Sequence, residues 1–381
     1  MFLLVLVGPA AASPAVPVVA PAPADRYFDG QYGLRQMGFP LAWASAGNGS
    51  REVLVAVLDT GIVRDHPDLD PSRILPGYDE VGDDTEPEDT CGHGTHVAGI
   101  LGATMGNGEG VAGAAQVRLL PIQVIGPRGE EKCGGDHAAV ARGVHRAVDA
   151  GAHVILMSLG TKTSSTALRT AVEHAASEGV VLVAAVGNSG RECEDDDCVK
   201  FPGAYPEVIA VAAVDAAGER VGSSGRGPEV EFSAPGRRIV STDLDGGYRR
   251  ASGTSMAAPH VAGAFALALS CRPDLSAADL RTVFQDTAED LGEPGRDHAF
   301  GYGLVRIDRV IDEIGPCGTK SALSGARSHV AVVSGAGPLA FAESSDERGS
   351  GREGVPVALW TAAVPFLVAL AGMLLFGRMR R

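Results

Sequence analysis

Positive charge is scarce in this chain. Lysine occurs only at Lys132, Lys162, Lys200 and Lys320, and 32 Lys and Arg face 47 Asp and Glu, for a net charge of −15. That balance argues against a nucleic-acid binder, which needs a basic face, so no nucleic acid is expected as a partner. The Cys-x-x-Cys spacing of zinc sites is also missing, which points the six cysteines toward pairing with one another. Cys193 and Cys198 bracket the acidic loop Glu194-Asp195-Asp196-Asp197 and are expected to bridge locally. Of the many connectivities that six cysteines allow, Cys91 with Cys133 and Cys271 with Cys317 then follow by elimination.

Charge is missing most completely near the ends. Phe2 to Val7 is apolar and small residues continue to Ala24, so residues 1–24 resemble a signal peptide, although no Lys or Arg precedes the apolar run. Val355 to Phe376 carries no charged residue and is long enough to cross a bilayer as a helix. Arg378, Arg380 and Arg381 follow at once. The expected organisation is a globular domain over 25–315, a Gly/Ser-rich linker over 316–354, a transmembrane helix over 355–377 and a basic cytoplasmic tail over 378–381. The positive-inside rule then puts the globular domain outside a cell membrane that it spans once. No Leu-Pro-x-Thr-Gly sorting signal is present.

Between the ends, apolar β-branched runs alternate with helical patterns. Runs 53–58, 117–124, 154–157, 180–186 and 208–214 read as strands buried on both faces. Helices are expected over 136–150, 164–178, 255–270 and 276–290. The alternation predicts an α/β fold with a parallel sheet covered on both sides. Ligands of such sheets bind beyond the C-terminal strand ends. Asp59 directly follows one strand run, and Asn188 lies just past another.

Four short segments carry chemistry. Asp59-Thr60-Gly61 offers an acid, His93-Gly94-Thr95-His96 a base, and Gly253-Thr254-Ser255-Met256-Ala257-Ala258-Pro259-His260 a hydroxyl nucleophile at a helix N-terminus. Ala185-Val186-Gly187-Asn188-Ser189-Gly190 offers an amide donor. The chain order Asp, His, Ser distinguishes one class of triad from others. With these flanks the chain, from about Gln31 to Ala288, resembles the subtilisin-like serine proteases, the subtilase family. The resemblance implies a three-layer subtilisin-like fold with a mostly parallel seven-stranded sheet flanked by helices. It also implies a serine endopeptidase acting on protein or peptide substrates: Ser255 attacks, His93 moves the proton, Asp59 orients His93, and Asn188 steadies the oxyanion. The catalytic domain is expected to be monomeric.

By the same resemblance, Ser158-Leu159-Gly160 pairs with an extended substrate, opposite a second segment near 132–135. Gly187 lines the pocket for the residue before the scissile bond, and Lys200 falls near its base. Lys200 there favours an acidic substrate residue, whereas the nearby acidic loop favours a basic one, so no specificity follows from the sequence. Structural Ca²⁺ is implied by side chains of Asp68 and Asn107 and by carbonyls of Met105, Glu109 and Val111. The acidic run containing Asp83, Asp84, Glu86, Glu88 and Asp89 reads as a solvated loop. Membrane-anchored members of the mycosin type share the disulfides and the C-terminal helix. Two other readings exist: a catalytically silent subtilase-fold scaffold of a secretion system, and a metal site at His93 and His96. The second lacks the Glu of the zinc-protease helix motif.

Overall fold

The computed structural model describes residues 22–127, 133–193 and 198–318. The signal-peptide-like segment up to residue 21, the linker from 319 onward, the expected membrane span and the basic tail lie outside the described residues. So does the acidic loop 194–197.

Seven strands form one sheet: β1 (Leu54–Asp59), β2 (Tyr78–Asp79), β3 (Arg118–Gln123), β6 (Val154–Met157), β7 (Val181–Ala185), β8 (Ile209–Val214) and β9 (Val230–Pro235). Their order is β2-β3-β1-β6-β7-β8-β9, and each neighbouring pair is parallel. Two small antiparallel ribbons accompany the sheet: β4 (Ile125–Pro127) with β5 (Cys133–Gly135), and β10 (Ile239–Thr242) with β11 (Tyr248–Ala251).

Strand alternation divides the core in two. Val55 and Val57 of β1, Val181 and Val183 of β7, and Val211 of β8 point to one face. There they meet α3 (His93–Gly102), α6 (Thr254–Cys271), α7 (Ala277–Thr287) and α8 (Ile307–Ile314). Leu54, Ala56 and Leu58 of β1 and Leu182 of β7 point to the other, against α4 (His137–Asp149) and α5 (Thr166–Ser177). Two short helices, α1 (Tyr32–Gln36) and α2 (Phe39–Ala46), precede the sheet. The continuous apolar strand runs follow from this burial on both sides.

Helix starts follow local chemistry. Asp136, Ser165 and Ser276 cap α4, α5 and α7 by accepting the N–H of Ala139, Leu168 and Asp279. The expected helix boundaries lie close to these caps. Helix α6 is apolar and long enough to cross a membrane, yet nearly all of it is buried against the sheet. Phe265 of α6 stacks on Phe284 of α7 at 3.8 Å. All three expected disulfides are present: Cys91–Cys133, Cys193–Cys198 and Cys271–Cys317.

Candidate active site

The C-terminal ends of the parallel strands gather the predicted residues. Asp59 ends β1 with no solvent exposure. Its Oδ1 accepts the Thr60 N–H at 2.8 Å and meets His93 Nδ1 at 2.7 Å. Burial disfavours the imidazolium of His93, but the adjacent Asp59 charge and hydrogen bond outweigh it and raise the His93 pKa above its ordinary 6.5. His93 opens α3, a helix that the periodicity missed because its first turns are rich in glycine. Gly94 is required there: a Cβ would fall 2.1 Å from the Gly61 carbonyl oxygen, so only glycine lets α3 approach β1 this closely.

The reading of Asp89 as part of a solvated loop is overturned. Asp89 is 3% exposed and acts as a hub. One carboxylate oxygen accepts Thr60 Oγ1 at 2.8 Å and the N–H groups of Cys91 and Gly92 at 2.9 and 2.8 Å. The other accepts the Thr95 N–H and hydroxyl at 2.8 and 2.7 Å. Thr60 Oγ1 in turn accepts the Gly94 N–H at 2.8 Å. A carboxylate near the orphan N–H groups of a helix start is stabilised by them and by the helix dipole. Acidic neighbours mask this role in sequence; the threonines at 60 and 95 were the available signal.

Ser255 lies in the first turn of α6, approached through Gly253 at φ 153°. Its hydroxyl donates to the Ser158 carbonyl oxygen at 3.0 Å, and the Ser158 hydroxyl donates back to the Ser255 carbonyl oxygen at 3.1 Å. Pro259 explains the second bond. Lacking an N–H, it leaves the Ser255 carbonyl without its helical partner, and Ser158 fills the vacancy. Among the described residues no hydrogen bond links Ser255 to His93, and the Ser255 backbone N–H donates to nothing.

Asn188 Oδ1 accepts the Thr254 N–H at 3.0 Å, which fixes its side-chain amide beside the start of α6. A Cβ at Gly253 would lie 3.2 Å from that nitrogen. His93, Ser158, Leu159 and Gly160 line one open cleft of about 760 Å³, bounded on its far side by Cys133, Gly134 and Gly135 of β5. The two segments expected to flank an extended substrate therefore face a common space. Gly187 and Lys200 sit beside it: a Cβ on Gly187 would meet the Lys200 side chain.

His96 is fully buried, with Nε2 on the Arg249 carbonyl oxygen at 3.2 Å. Burial lowers its pKa to about 4. It faces the interior, tied to the Arg249 backbone.

The predicted calcium ligands also gather. Asp68, fully buried, accepts the Asn107 amide at 2.9 Å and the Val111 N–H at 2.8 Å. Asp25, missed by the sequence reading, is 5% exposed and accepts the Gly106 N–H at 2.8 Å. Burial foremost, with the Asp25 charge adding to it, lifts the Asp68 pKa to about 6. No group of three His, Cys, Asp or Glu side chains forms a metal cluster among the described residues. Yet among those residues the carbonyls of Met105, Glu109 and Val111 accept no hydrogen bond, whereas those of Gly110 and Ala112 do. An orphaned carbonyl at buried Val111 beside two buried carboxylates is the oxygen-rich donor set that suits Ca²⁺.

Comparison with known proteins now decides the family. Residues 50–303 match the model of the subtilase family. The chain belongs to the subtilase family. A thermostable alkaline protease of Halalkalibacterium halodurans is 42% identical over 264 residues, covering 69% of this chain and 68% of that one. Thermitase of Thermoactinomyces vulgaris is 38% identical over 282 residues, covering 73% and 96%. Among solved structures, a protease of Pseudoalteromonas arctica superposes with TM-score 0.67 at 32% identity, covering 77% of this subtilase and 99% of that chain. This subtilase is a serine endopeptidase.

Proposed function

We propose that the endopeptidase works through Ser255, His93 and Asp59, with Asn188 and the Ser255 N–H as oxyanion donors. The 2.7 Å bond between Asp59 and His93 Nδ1 carries this reading, together with Ser255, whose hydroxyl is held by Ser158 of the cleft that His93 lines. It fixes the tautomer that leaves His93 Nε2 as the acceptor. Rotation of the Ser255 hydroxyl from Ser158 toward Nε2 readies attack. Oγ then bonds the scissile carbonyl carbon while its proton passes to Nε2. The tetrahedral oxyanion takes N–H donation from Asn188 and Ser255. As the C–N bond breaks, Nε2 returns the proton to the leaving amine. Water, deprotonated by Nε2, then releases the acyl group and restores the hydroxyl.

The substrate lies extended between Ser158-Leu159-Gly160 and β5, pairing through backbone. Ca²⁺, held by Asp68, Asn107, Asp25 and the carbonyls of Met105, Glu109 and Val111, would neutralise the buried carboxylates and brace the loop. It takes no part in bond making. The apolar run at 355–377 and the three disulfides support a catalytic domain carried outside a membrane.

A fluorophosphonate probe tests the nucleophile on the full-length protein. Labelling is expected in the wild type and lost in Ser255→Ala. Labelling that persists in that variant, or its absence in folded wild type, sinks the assignment.

A further inference from the structure

Lys200 occupies an unusual place for a residue type this chain nearly lacks. Its stem runs between two glycines: a Cβ at Gly160 would lie 2.7 Å from Lys200 Cβ, and one at Gly187 would lie 2.3 Å from Lys200 Cγ. Both glycines belong to the segments around the nucleophile. Gly160 lines the cleft together with Ser158, and the Gly187 N–H donates to Thr254 Oγ1 at 3.2 Å. The slot between those segments is therefore filled by a lysine side chain.

Backbone bonds hold the residue there. The Lys200 N–H donates to the Val186 carbonyl at 2.9 Å, and Phe201 and Thr161 exchange two bonds at 2.9 and 3.0 Å. The side chain is half-buried, and among the described residues it forms no salt bridge. Burial first, then repulsion from Lys162, lower its pKa, and Glu192 pulls the other way. An under-hydrated ammonium that no described carboxylate pairs with gains most from a ligand that brings one.

We propose that Lys200 is a specificity-determining residue that receives the carboxylate of an Asp or Glu side chain at the substrate position just before the scissile bond. The inference rests on the reading of Ser255 as nucleophile and names the substrate class of that site: peptides cut after acidic residues. The high negative charge of the protein disfavours such substrates at long range, so the selectivity must come from short-range contact with the Lys200 ammonium.

The test compares fluorogenic peptides that differ only in the residue before the cut, Glu against its neutral isostere Gln. Probe labelling of Ser255 counts active enzyme in each sample. The wild type should cleave the Glu peptide with a kcat/KM roughly tenfold to a hundredfold above the Gln peptide, the range for a hydrogen bond to a charged group. Lys200→Gln should bring the ratio close to one, and Lys200→Glu should turn the preference toward a Lys peptide. A wild-type ratio of one or less overturns the proposal even if neither variant folds. A ratio that survives in Lys200→Gln overturns it as well. Labelled enzyme without a Glu preference sinks this inference alone, whereas absent labelling and cleavage sink the catalytic reading with it.

Discussion

Asp59 and Asp68 lie close in sequence, and neither carboxylate has solvent exposure. Their surroundings differ in one respect. Asp59 faces an imidazole that can carry positive charge. Asp68 faces an amide and a backbone N–H, which stay neutral, with a second carboxylate nearby. At the first site the acid lifts the pKa of its partner; at the second, burial lifts the pKa of the acid itself. Of these two buried carboxylates, one is matched by a titratable partner and the other by neutral donors alone.

The sharpest way to break the comparison is Asp59→Asn, which keeps shape and removes charge. Turnover should fall by about 10⁴-fold, a figure measured in other serine proteases, a subtilisin among them. The pH profile adds a sign. The proposed mechanism needs neutral His93, and Asp59 raises its pKa, so wild-type kcat/KM should rise with pH through a midpoint above 6.5. In Asp59→Asn that midpoint should move down; an unmoved midpoint would show that Asp59 does not set the imidazole. A smaller effect is expected at the third buried carboxylate. Asp89→Asn replaces a charged acceptor of several N–H and O–H bonds, and should cost about 3 kcal/mol of unfolding free energy. Denaturant unfolding in a Ser255→Ala background, free of self-digestion, would measure it. An unchanged midpoint would deny the hub.

The smallest change concerns the second site. Removing calcium with a chelator should lower Tm by the equivalent of about 2–3 kcal/mol of stabilisation, and Asp68→Asn should abolish that chelator response. Indifference of the wild type to chelator would leave the loop closed by its own hydrogen bonds alone.

What could be read from sequence followed from side chains that announce their surroundings. Leu54 to Leu58 are apolar because the strand is covered on both faces, and Asp59 marks where it ends. Asp136 and Ser276 cap helices through their own side chains, so these starts were legible. Helix α3 was not, because Gly92 to Gly99 offers little helix propensity and the stabilising acceptor, Asp89, lies outside the helix. Strand β2 has only two residues, too short for any pattern. Asp25 approaches Asp68 only through the tertiary fold. The resemblance supplied the seven-stranded sheet; the apolar runs alone gave five of its strands.

Pro259 has an effect beyond its own helix. By withholding a donor, it hands the carbonyl oxygen of Ser255, the proposed nucleophile, to the very segment expected to bind substrate. Giving position 259 an N–H would supply a rival for that oxygen and loosen a tie that spans from the helix to the peptide-binding edge. An imino acid one turn beyond Ser255 thus leaves the helix start tied to Ser158, the edge proposed to grip a substrate.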